Sequence, residues 1–434
     1  MDPKLRSSTS NTPMKRKKAQ TETAVSSLPP ETLELIFSKL DRDHLKRVAL
    51  VSKSFLSSVR STVYLLTFSK YIPDTPHVHK LFDRFPCVKE ITLSCQPTDH
   101  VLLAISNSKL SLKTLRLLKC PYNLQYGAIL TLPASSRITS TLRCLEIECR
   151  GSGEAELSSF NPEQSIRFIQ QFSSLRELEL SYYRCWDDRL IQMTAPQLRN
   201  LRKLNLRHNE YLTDDTLAAI SLYCIYLEHL NVGFCFQITP GGIAALIRSC
   251  KHLHSLDMPT FVIDDGTEPS IEQQCADPEL VELMETISSC ENLKHVCFGC
   301  FLARDVIFRT YAKSRPPLST LAIYRDAFGY EDDSTDDSKF SMAGVSELVH
   351  ACRGRLVQLS VDLPRSDQLG TQDREMSLLV ARLPHLEYVR IVGSASSMDE
   401  TLESMKRNCP LLKYARVYWN ADGGSGVFRL GRSY

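Results

Sequence analysis

The stretches LRELEL at residues 175–180, LRKLNL at 201–206, LEHLNV at 227–232 and LHSLDM at 253–258 decide the fold. Each has an apolar residue at its first, fourth and sixth positions, and each starts 26 residues after the one before it. A fixed period of this length is typical of an array in which one structural unit is stacked on the next. The alternation of apolar and polar residues is that of a strand with one buried face. The sequence therefore predicts a solenoid.

The same apolar pattern, in looser form, occurs along most of the chain and predicts about twelve repeats. The first apolar residues of these repeats are Val88, Leu112, Leu142, Leu175, Leu201, Leu227, Leu253, Leu293, Leu318, Leu356, Leu386 and Leu412. Helix signals follow the strands, such as Thr239-Pro240, where a capping hydroxyl precedes a proline at the first helical position. One strand and one helix per repeat predict an α/β horseshoe with an inner parallel β-sheet and outer helices.

Composition excludes several classes of protein. Hydrophobic residues make up 43% of the chain and charged residues 24%, as in soluble globular proteins. Because no apolar run is long enough for a transmembrane helix and the N-terminus lacks an apolar signal core, we expect no membrane partner and a reducing compartment. The 15 cysteines should then be mostly thiols, placed by the repeats. A net charge of +2 is too small to indicate a nucleic-acid-binding protein.

The first 27 residues predict a disordered basic tail, since they are rich in Ser, Thr, Lys and Arg and contain little that could form a core. The run Lys15, Arg16, Lys17, Lys18 has the compact cationic character of a nuclear localisation signal. A solvated tail without a targeting role is an equally good interpretation. The expected location is the nucleus, the cytoplasm or both.

Residues 28–60, LPPETLELIFSKLDRDHLKRVALVSKSFLSSVR, differ in character from the repeats. Two prolines favour a helix start, and apolar residues from Leu33 onward recur with helical spacing. Asp41 and Asp43 interrupt this pattern and can cap a second helix, and Phe55 belongs to a third. Three short helices bury little surface, so this unit needs a partner or a neighbouring domain.

Motifs of catalysis are missing from the sequence. GxGxxG, GxxxxGK[ST] and GxSxG do not occur, and the scattered histidines have no ligand pattern to complete a metal site. The pair Cys297 and Cys300 forms a CxxC, but it lies on and just beyond a repeat strand and not at a helix N-terminus. A thiol enzyme built on this pair is the weakest alternative. The sequence thus predicts a non-catalytic protein without a metal or cofactor.

Recognition is the role that remains, and the concave side of the sheet is where we expect it. Side chains at the second, fourth and sixth positions after each repeat start should face outward there. The predicted target-binding residues at these positions are Lys203, Asn205, Arg207, His229, Asn231, Tyr388, Arg390, Tyr414, Arg416 and Tyr418. The tyrosine and arginine residues near the C-terminus resemble a binding hot spot.

Two repeats are longer than the others because they contain acidic insertions. The insertions span residues 259–277 and 324–341. Insertions at one phase of a solenoid emerge on the same rim, which is often the binding rim. Solvated loops without a binding role are the alternative interpretation.

The segment LPPETLELIFSKLDRDHLKRVALVSKSF resembles an F-box, and the repeats behind it resemble leucine-rich repeats. The whole chain is thereby similar to F-box/leucine-rich-repeat proteins, and to plant members especially. In that family the F-box binds an adaptor of the Skp family and, through it, a cullin scaffold. The matching residues, which the resemblance implies as adaptor-binding, are Leu28, Pro29, Leu33, Ile36, Phe37, Leu40, Leu45, Val48, Val51 and Phe55.

The resemblance implies a substrate receptor of an SCF-type ubiquitin ligase, whose repeats hold a protein for ubiquitination and proteasomal degradation. Such a receptor acts by proximity and carries no catalytic residue. The resemblance divides the chain into the tail 1–27, the F-box 28–68 and the solenoid 69–434. The alternatives are a leucine-rich-repeat scaffold or inhibitor without ligase activity, and a hormone-like co-receptor that needs a small molecule to bind its target.

Overall fold

The computed structural model describes most of the chain. The described residues are 28–69, 78–95, 99–118, 137–148, 162–181, 186–258, 278–298, 305–313, 317–324, 341–352, 355–363, 371–393, 397–421 and 424–430. The basic tail with Lys15, Arg16, Lys17 and Lys18 lies outside these ranges. The two acidic insertions also lie outside them, except for Tyr324 and Ser341.

Among the described residues, three helices precede the first strand: α1 (Pro30–Phe37), α2 (Arg42–Ala49) and α3 (Lys53–Thr62). The helices that follow are α4 (Val78–Arg84), α5 (Asp99–Ser106), α6 (Arg137–Thr141), α7 (Pro162–Gln170), α8 (Asp188–Thr194), α9 (Asp214–Tyr223), α10 (Pro240–Ser249), α11 (Pro278–Ser289), α12 (Asp305–Lys313), α13 (Met342–Ala351), α14 (Thr371–Val380) and α15 (Asp399–Asn408). None of the helices in the described ranges combines the length and the apolar character needed to cross a membrane.

The strands alternate with these helices along the chain. They are β1 (Leu65–Phe68), β2 (Glu90–Leu93), β3 (Thr114–Leu117), β4 (Cys144–Glu148), β5 (Glu177–Ser181), β6 (Lys203–Asn205), β7 (His229–Asn231), β8 (Ser255–Asp257), β9 (His295–Phe298), β10 (Thr320–Ile323), β11 (Gln358–Asp362), β12 (Tyr388–Gly393), β13 (Tyr414–Ala421) and β14 (Gly424–Leu430). All of them belong to one sheet in chain order.

The sheet confirms the predicted α/β solenoid. Strands β1 to β13 pair in parallel, and β14 folds back antiparallel to β13. Equivalent leucines of successive repeats are register partners, as Leu178, Leu204 and Leu230 are on β5, β6 and β7. These side chains are almost completely buried, so a continuous ladder of apolar residues forms the solenoid core.

Strands β2 to β13 follow the twelve predicted repeat starts, whereas β1 and β14 were not predicted. Residues 65–68, which the predicted boundary at residue 68 assigns to the N-terminal segment, pair in register with β2. They therefore form the first strand of the sheet. The signal is present in the sequence, because Val63, Leu66 and Phe68 have the repeat spacing and pack against the solenoid core.

Helices α1 to α3 form a separate small unit. Asp41 caps α2 by accepting hydrogen bonds from the backbone amides of Asp43 (3.1 Å) and His44 (2.9 Å). Ser52 caps α3 in the same way, accepting from the Phe55 amide at 3.1 Å. The buried apolar residues of this unit form their own cluster, apart from the solenoid core. The unit thus has an independent interior.

Side chains at repeat turns tie each coil of the solenoid to the one before it. The buried Asn209 amide donates to the carbonyls of Leu180 (2.8 Å) and Leu206 (2.6 Å). Asn209 lies eight residues after the start of its repeat, and we call this position the slot. Cys235 occupies the same slot one repeat later, and its thiol donates to Leu206 O at 3.2 Å. Between helices, Asp188 accepts from the Thr213 amide (2.9 Å) and hydroxyl (2.7 Å). These contacts fix the orientation of neighbouring strands.

Replacing Asn209 with alanine should lower the free energy of unfolding by about 2 kcal/mol, because two buried hydrogen bonds are lost and the Leu180 carbonyl loses its side-chain donor. Asn209→Cys should lose about half as much, because the thiol of Cys235 already serves one carbonyl in this slot. Urea unfolding monitored by circular dichroism measures both changes. Equal stability of the alanine and cysteine variants would contradict the role given to this slot.

Five cysteines are buried free thiols: Cys224, Cys235, Cys250, Cys352 and Cys409. The Cys224 thiol donates to the carbonyl of Leu198 at 3.6 Å, and that of Cys409 to Leu383 O at 3.5 Å. Burial raises the pKa of Cys224 to about 12. These side chains therefore act as small, weakly polar packing groups in the coils.

Candidate functional site

The N-terminal unit leaves four large apolar side chains exposed. Leu35 is 65% and Ile36 45% exposed on α1, and Leu50 is 88% and Val51 67% exposed between α2 and α3. We call these four residues the outer apolar surface. The unit buries Leu33, Phe37, Phe55 and Val59 in its own interior, so the outer apolar surface has no role in that core.

The ten residues that the F-box resemblance implies as adaptor-binding divide into three sets. Leu33, Phe37 and Phe55 lie inside the unit, where the rings of Phe37 and Phe55 are 5.3 Å apart. A second set packs partly against this interior: Leu28, Leu40, Leu45 and Val48. Pro29, Ile36 and Val51 are exposed. Interior residues support a contact surface by holding the helices together and do not form it.

Leu35 and Leu50 belong to the outer apolar surface but were not among the predicted site residues. A signal for Leu35 exists in the sequence, because Leu35, Ile36 and Phe37 are three apolar residues in succession. On a helix of 3.6 residues per turn, such a run must cover more than one face. One face then serves the interior and another is left for a partner.

The predicted target-binding residues lie on the opposite side of the strands from the solenoid core. In β6 and β7, Lys203 pairs with His229 and Asn205 with Asn231, while Leu204 between them is buried. The two amides bond to carboxylates of adjacent strands: Asn205 Nδ2 to Glu179 Oε1 and Asn231 Nδ2 to Asp257 Oδ2, both at 2.9 Å. These bonds hold the polar side chains of the concave surface in fixed positions.

A second group of predicted residues lies on β12 and β13. Tyr388 pairs with Tyr414, and Arg390 with Arg416, so two tyrosines and two arginines stand side by side on adjacent strands. Tyr418 follows on β13. This arrangement keeps the tyrosine–arginine group together, as the sequence predicts, and places it several strands away from Lys203 and His229.

Three concave arginines lie over aromatic rings. Arg207 is 4.9 Å from the ring centroid of Phe234, Arg390 is 5.4 Å from that of Tyr324, and Arg416 is 4.7 Å from that of Tyr418. Asp362 accepts a hydrogen bond from Arg390 at 2.6 Å. Within the described part of the chain, the buried Nε atoms of Arg207 and Arg416 have no hydrogen-bond partner. Stacked guanidinium groups of this kind are oriented to bind carboxylate or phosphate.

Asp257, Cys297 and Tyr324 fill the space between the two groups of predicted residues. Burial raises the pKa of Asp257, and the positive charges of Arg207 and Lys203 oppose that rise. Burial also raises the pKa of Tyr324. The sequence reasoning missed these three residues, although each lies four or six residues after the start of its own repeat. They connect the concave surface from β6 to β12.

The pKa of the Cys297 thiol is shifted in the opposite direction to that of a reactive cysteine. Burial raises its pKa, and the negative charge of Asp257 adds to the rise. Catalytic and redox thiols need a lowered pKa so that the thiolate forms. Cys300 lies outside the described residues. Among the residues that the structure describes, no three His, Cys, Asp or Glu side chains are grouped so that they could hold a metal ion.

Two histidines of the concave surface, the exposed His229 and the half-buried His295, make stability depend on pH. Burial lowers the pKa of His229 and of His295 below the usual 6.5, and the positive charge of His254 opposes the protonation of both rings. At a pH between 6.5 and the lowered pKa values of the folded chain, these histidines bind protons in the unfolded chain but not in the folded chain. The free energy of unfolding should therefore fall as pH is lowered through this window.

Urea unfolding at about pH 7.5 and about pH 5.5 tests this dependence, with the double variant His229→Gln and His295→Gln as the comparison. The wild-type chain should lose more stability than the variant on acidification. An identical loss in both proteins would assign the pH dependence to other groups.

Comparison with known families identifies two modules in the chain. Residues 25–66 match a model of the F-box-like domain, and residues 197–221 match a leucine-rich repeat model. The first match contains α1 to α3 and the outer apolar surface, and the second contains β6 and most of α9. An F-box-like domain at the N-terminus is thus followed by a leucine-rich repeat, which confirms the resemblance to F-box/leucine-rich-repeat proteins, while the similarity to plant members stays a prediction.

Three solved structures show a limited similarity to the chain. The complex of Rad7 and Elc1 from yeast has a TM-score of 0.49 at 14% identity, covering 96% of this chain and 96% of that chain. The leucine-rich repeat-containing protein LegL7 from Legionella pneumophila has a TM-score of 0.41 at 13% identity, covering 75% and 90% respectively. The tropomodulin C-terminal domain from Caenorhabditis elegans has a TM-score of 0.26 at 18% identity, covering 36% and 93%.

Proposed function

We propose that this chain, with its F-box-like domain and leucine-rich repeats, is the substrate-recognition subunit of an SCF-type ubiquitin ligase. The two modules suggest a substrate-adaptor role in ubiquitin ligation, and modules of these kinds are typically non-catalytic. An F-box-like domain implies binding of a Skp-type adaptor. The observation that carries the proposal is the outer apolar surface, which the N-terminal unit leaves uncovered.

The outer apolar surface has the energetic features of a protein interface. Fully burying a Leu, Ile or Val side chain contributes about 1.5–3 kcal/mol, so four such residues can supply the core of a contact. The unit that carries them buries only Leu33, Phe37, Phe55 and Val59 in its own cluster. A unit with so small a core gains stability when a partner covers its exposed apolar residues.

The repeats provide the second surface that the role requires. Arg207, Arg390 and Arg416 are held over aromatic rings on the concave side, and Tyr388 and Tyr414 stand next to the last two. Oriented arginines with adjacent tyrosines are the residue types on which protein recognition most often depends. In the proposed complex the adaptor links the chain to a cullin scaffold, and the target is ubiquitinated by proximity and then degraded by the proteasome.

A leucine-rich-repeat scaffold or inhibitor without ligase attachment is the competing function. It uses the same concave surface but gives no role to Leu35, Ile36, Leu50 and Val51. The proposed place of action is the nucleus, the cytoplasm or both, on the basis of the cationic run Lys15 to Lys18.

Affinity purification of the full chain and of a chain that starts at Val63 separates the two functions. The truncation removes α1 to α3 and leaves β1 in place. A substrate receptor should lose the adaptor and the cullin on truncation and retain its targets. Retention of the adaptor and the cullin by the truncated chain would contradict the proposal, and a full chain that captures neither would favour the scaffold.

A further inference from the structure

The residue immediately before each strand from β2 to β6 is basic. These residues are Lys89, Lys113, Arg143, Arg176 and Arg202, and we call them the basic ladder. The backbone bonds them in succession: each amide donates to the carbonyl of the ladder residue before it, at 2.7–2.8 Å. Neighbouring strands are about 4.8 Å apart, so the ladder is a line of positive charge about 19 Å long.

Most of the ladder forms no ion pair with the residues that the structure describes. Arg202 pairs with Glu228, but within the described ranges Lys89, Lys113, Arg143 and Arg176 form no ion pair. Lys89, Lys113 and Arg176 are exposed. Like charges that face each other on adjacent strands destabilise a sheet, so a row of them is a cost to folding. An acidic group from another molecule would offset that cost.

A band of carboxylates runs parallel to the basic ladder. It consists of Glu90 on β2, Glu146 and Glu148 on β4, and Glu177 and Glu179 on β5, and we call it the acidic band. Glu146 and Glu179 are register partners. Arg116 forms ion pairs with Glu146 (3.0 Å) and Glu90 (3.6 Å). The first repeats thus present a row of positive charge beside a patch that is mainly negative.

The neighbouring rows of positive and negative charge fit one class of partner better than another. A nucleic acid carries negative charge along its whole surface, so a strand bound on the ladder would also meet the acidic band. A protein can place acidic residues in one row and basic residues in the next, for example on two adjacent faces of a helix. The observed arrangement therefore favours a protein partner.

We propose that the basic ladder and the acidic band form one docking surface for a protein segment whose acidic row lies along β2 to β6 and whose basic row lies beside it. The proposal rests on the proposed function, in which that segment belongs to the ligase target. The Lys89 amide donates to Tyr64 O at 2.9 Å, and Tyr64 lies two residues after the end of α3. A segment held on the ladder is therefore next to the C-terminal end of the F-box-like domain.

The test uses a labelled helical peptide of about 13 residues with a glutamate face beside a lysine face, since a helix of that length spans about the 19 Å of the ladder. A peptide of the same composition in scrambled order and a single-stranded DNA of similar length are the comparison probes. Fluorescence anisotropy measures the binding of each probe to the full chain at low and moderate salt. The two-faced peptide should bind more tightly than either comparison probe, and salt should weaken its binding.

The ladder variant combines Lys89→Glu, Lys113→Glu and Arg176→Glu. The matched control combines Lys80→Glu, Lys406→Glu and Arg407→Glu, which are exposed residues of helices α4 and α15 and change the net charge equally. The ladder variant should bind the two-faced peptide at least about tenfold more weakly, and the control should change it less than about twofold. Glutamine at the three ladder positions should give a smaller loss, and it preserves the test if charge reversal impairs folding.

Equal binding by the ladder variant and the control would overturn the proposal. Tighter binding of DNA than of the two-faced peptide, lost in the ladder variant, would identify a nucleic-acid surface instead. Adaptor pull-down with the same variants separates this result from the proposed function. The ladder variant should retain the adaptor, whereas a wild-type chain that fails to bind the adaptor would contradict the ligase role and leave the peptide result unaffected.

Discussion

Replacing Ile36 and Val51 together with glutamate is expected to abolish recovery of the Skp-type adaptor, with a rise in the dissociation constant of at least about 100-fold. Both side chains are substantially exposed, so the substitutions remove nothing from the interior of the N-terminal unit. Each one places a carboxylate in an apolar interface, where an unpaired charge costs several kcal/mol. Titration calorimetry with purified adaptor measures the effect, and thermal unfolding should be unchanged.

The matched control places two glutamates on exposed apolar residues of the solenoid helices. Leu222 is 68% and Leu378 58% exposed, so Leu222→Glu with Leu378→Glu changes the net charge equally on a distant surface. This control should bind the adaptor like the wild-type chain. If the Ile36 and Val51 double variant binds as tightly as the control, the outer apolar surface is not the adaptor site.

Phe37→Ala should also abolish adaptor binding, but by unfolding the N-terminal unit. Phe37 is buried against Phe55 and shares its cluster with only two other buried residues. Removing a core phenylalanine costs about 3–5 kcal/mol, which is a large fraction of the stability of so small a unit. Hydrogen exchange should become fast across residues 30–62, while the strands of the solenoid keep their protection.

Leu35→Ala is the comparison for this prediction, since Leu35 lies on the same helix but outside the interior. It should weaken adaptor binding without changing exchange in residues 30–62. Protected helices and intact adaptor binding in Phe37→Ala would show that the unit does not depend on this cluster.

The solenoid could be predicted from the sequence because its physical cause is periodic. Each parallel strand needs an apolar residue at the same offset, so the starts of β2 to β13 are visible as one repeated pattern. β1 has the same pattern from Val63. Because it follows directly on the helices, the predicted boundary at residue 68 assigns it to the N-terminal segment. β14 breaks the period, since it returns antiparallel to β13 and contains Gly424 and Gly426.

The division of the N-terminal unit into interior and outer surface could not be predicted in the same way. An apolar stripe shows that a helix face avoids water, but it does not show whether a neighbouring helix or another protein covers that face. Leu33 and Ile36 belong to one stripe, yet the first is buried and the second exposed. That difference depends on where α3 packs, which is a property of the tertiary structure.

The concave surface was predicted in position but not in extent. Alternation along the strands locates Arg390 and Arg416 correctly on the outward side. The electrostatic connection through Asp257 and Cys297 depends on the side chains of four successive strands, β6 to β9, and no single repeat contains it. The basic ladder is of the same kind, because its charges are distant in sequence and adjacent only in the sheet.

Hydrogen exchange of the full chain with and without the adaptor tests the central claim most directly. The claim is that α1 and the turn between α2 and α3 bind the adaptor while the solenoid stays free for a target. Exchange should slow in residues 33–37 and 50–53 on adding the adaptor and stay unchanged in β6 to β13. Unchanged exchange in the N-terminal unit, or protection confined to the concave strands, would contradict the claim.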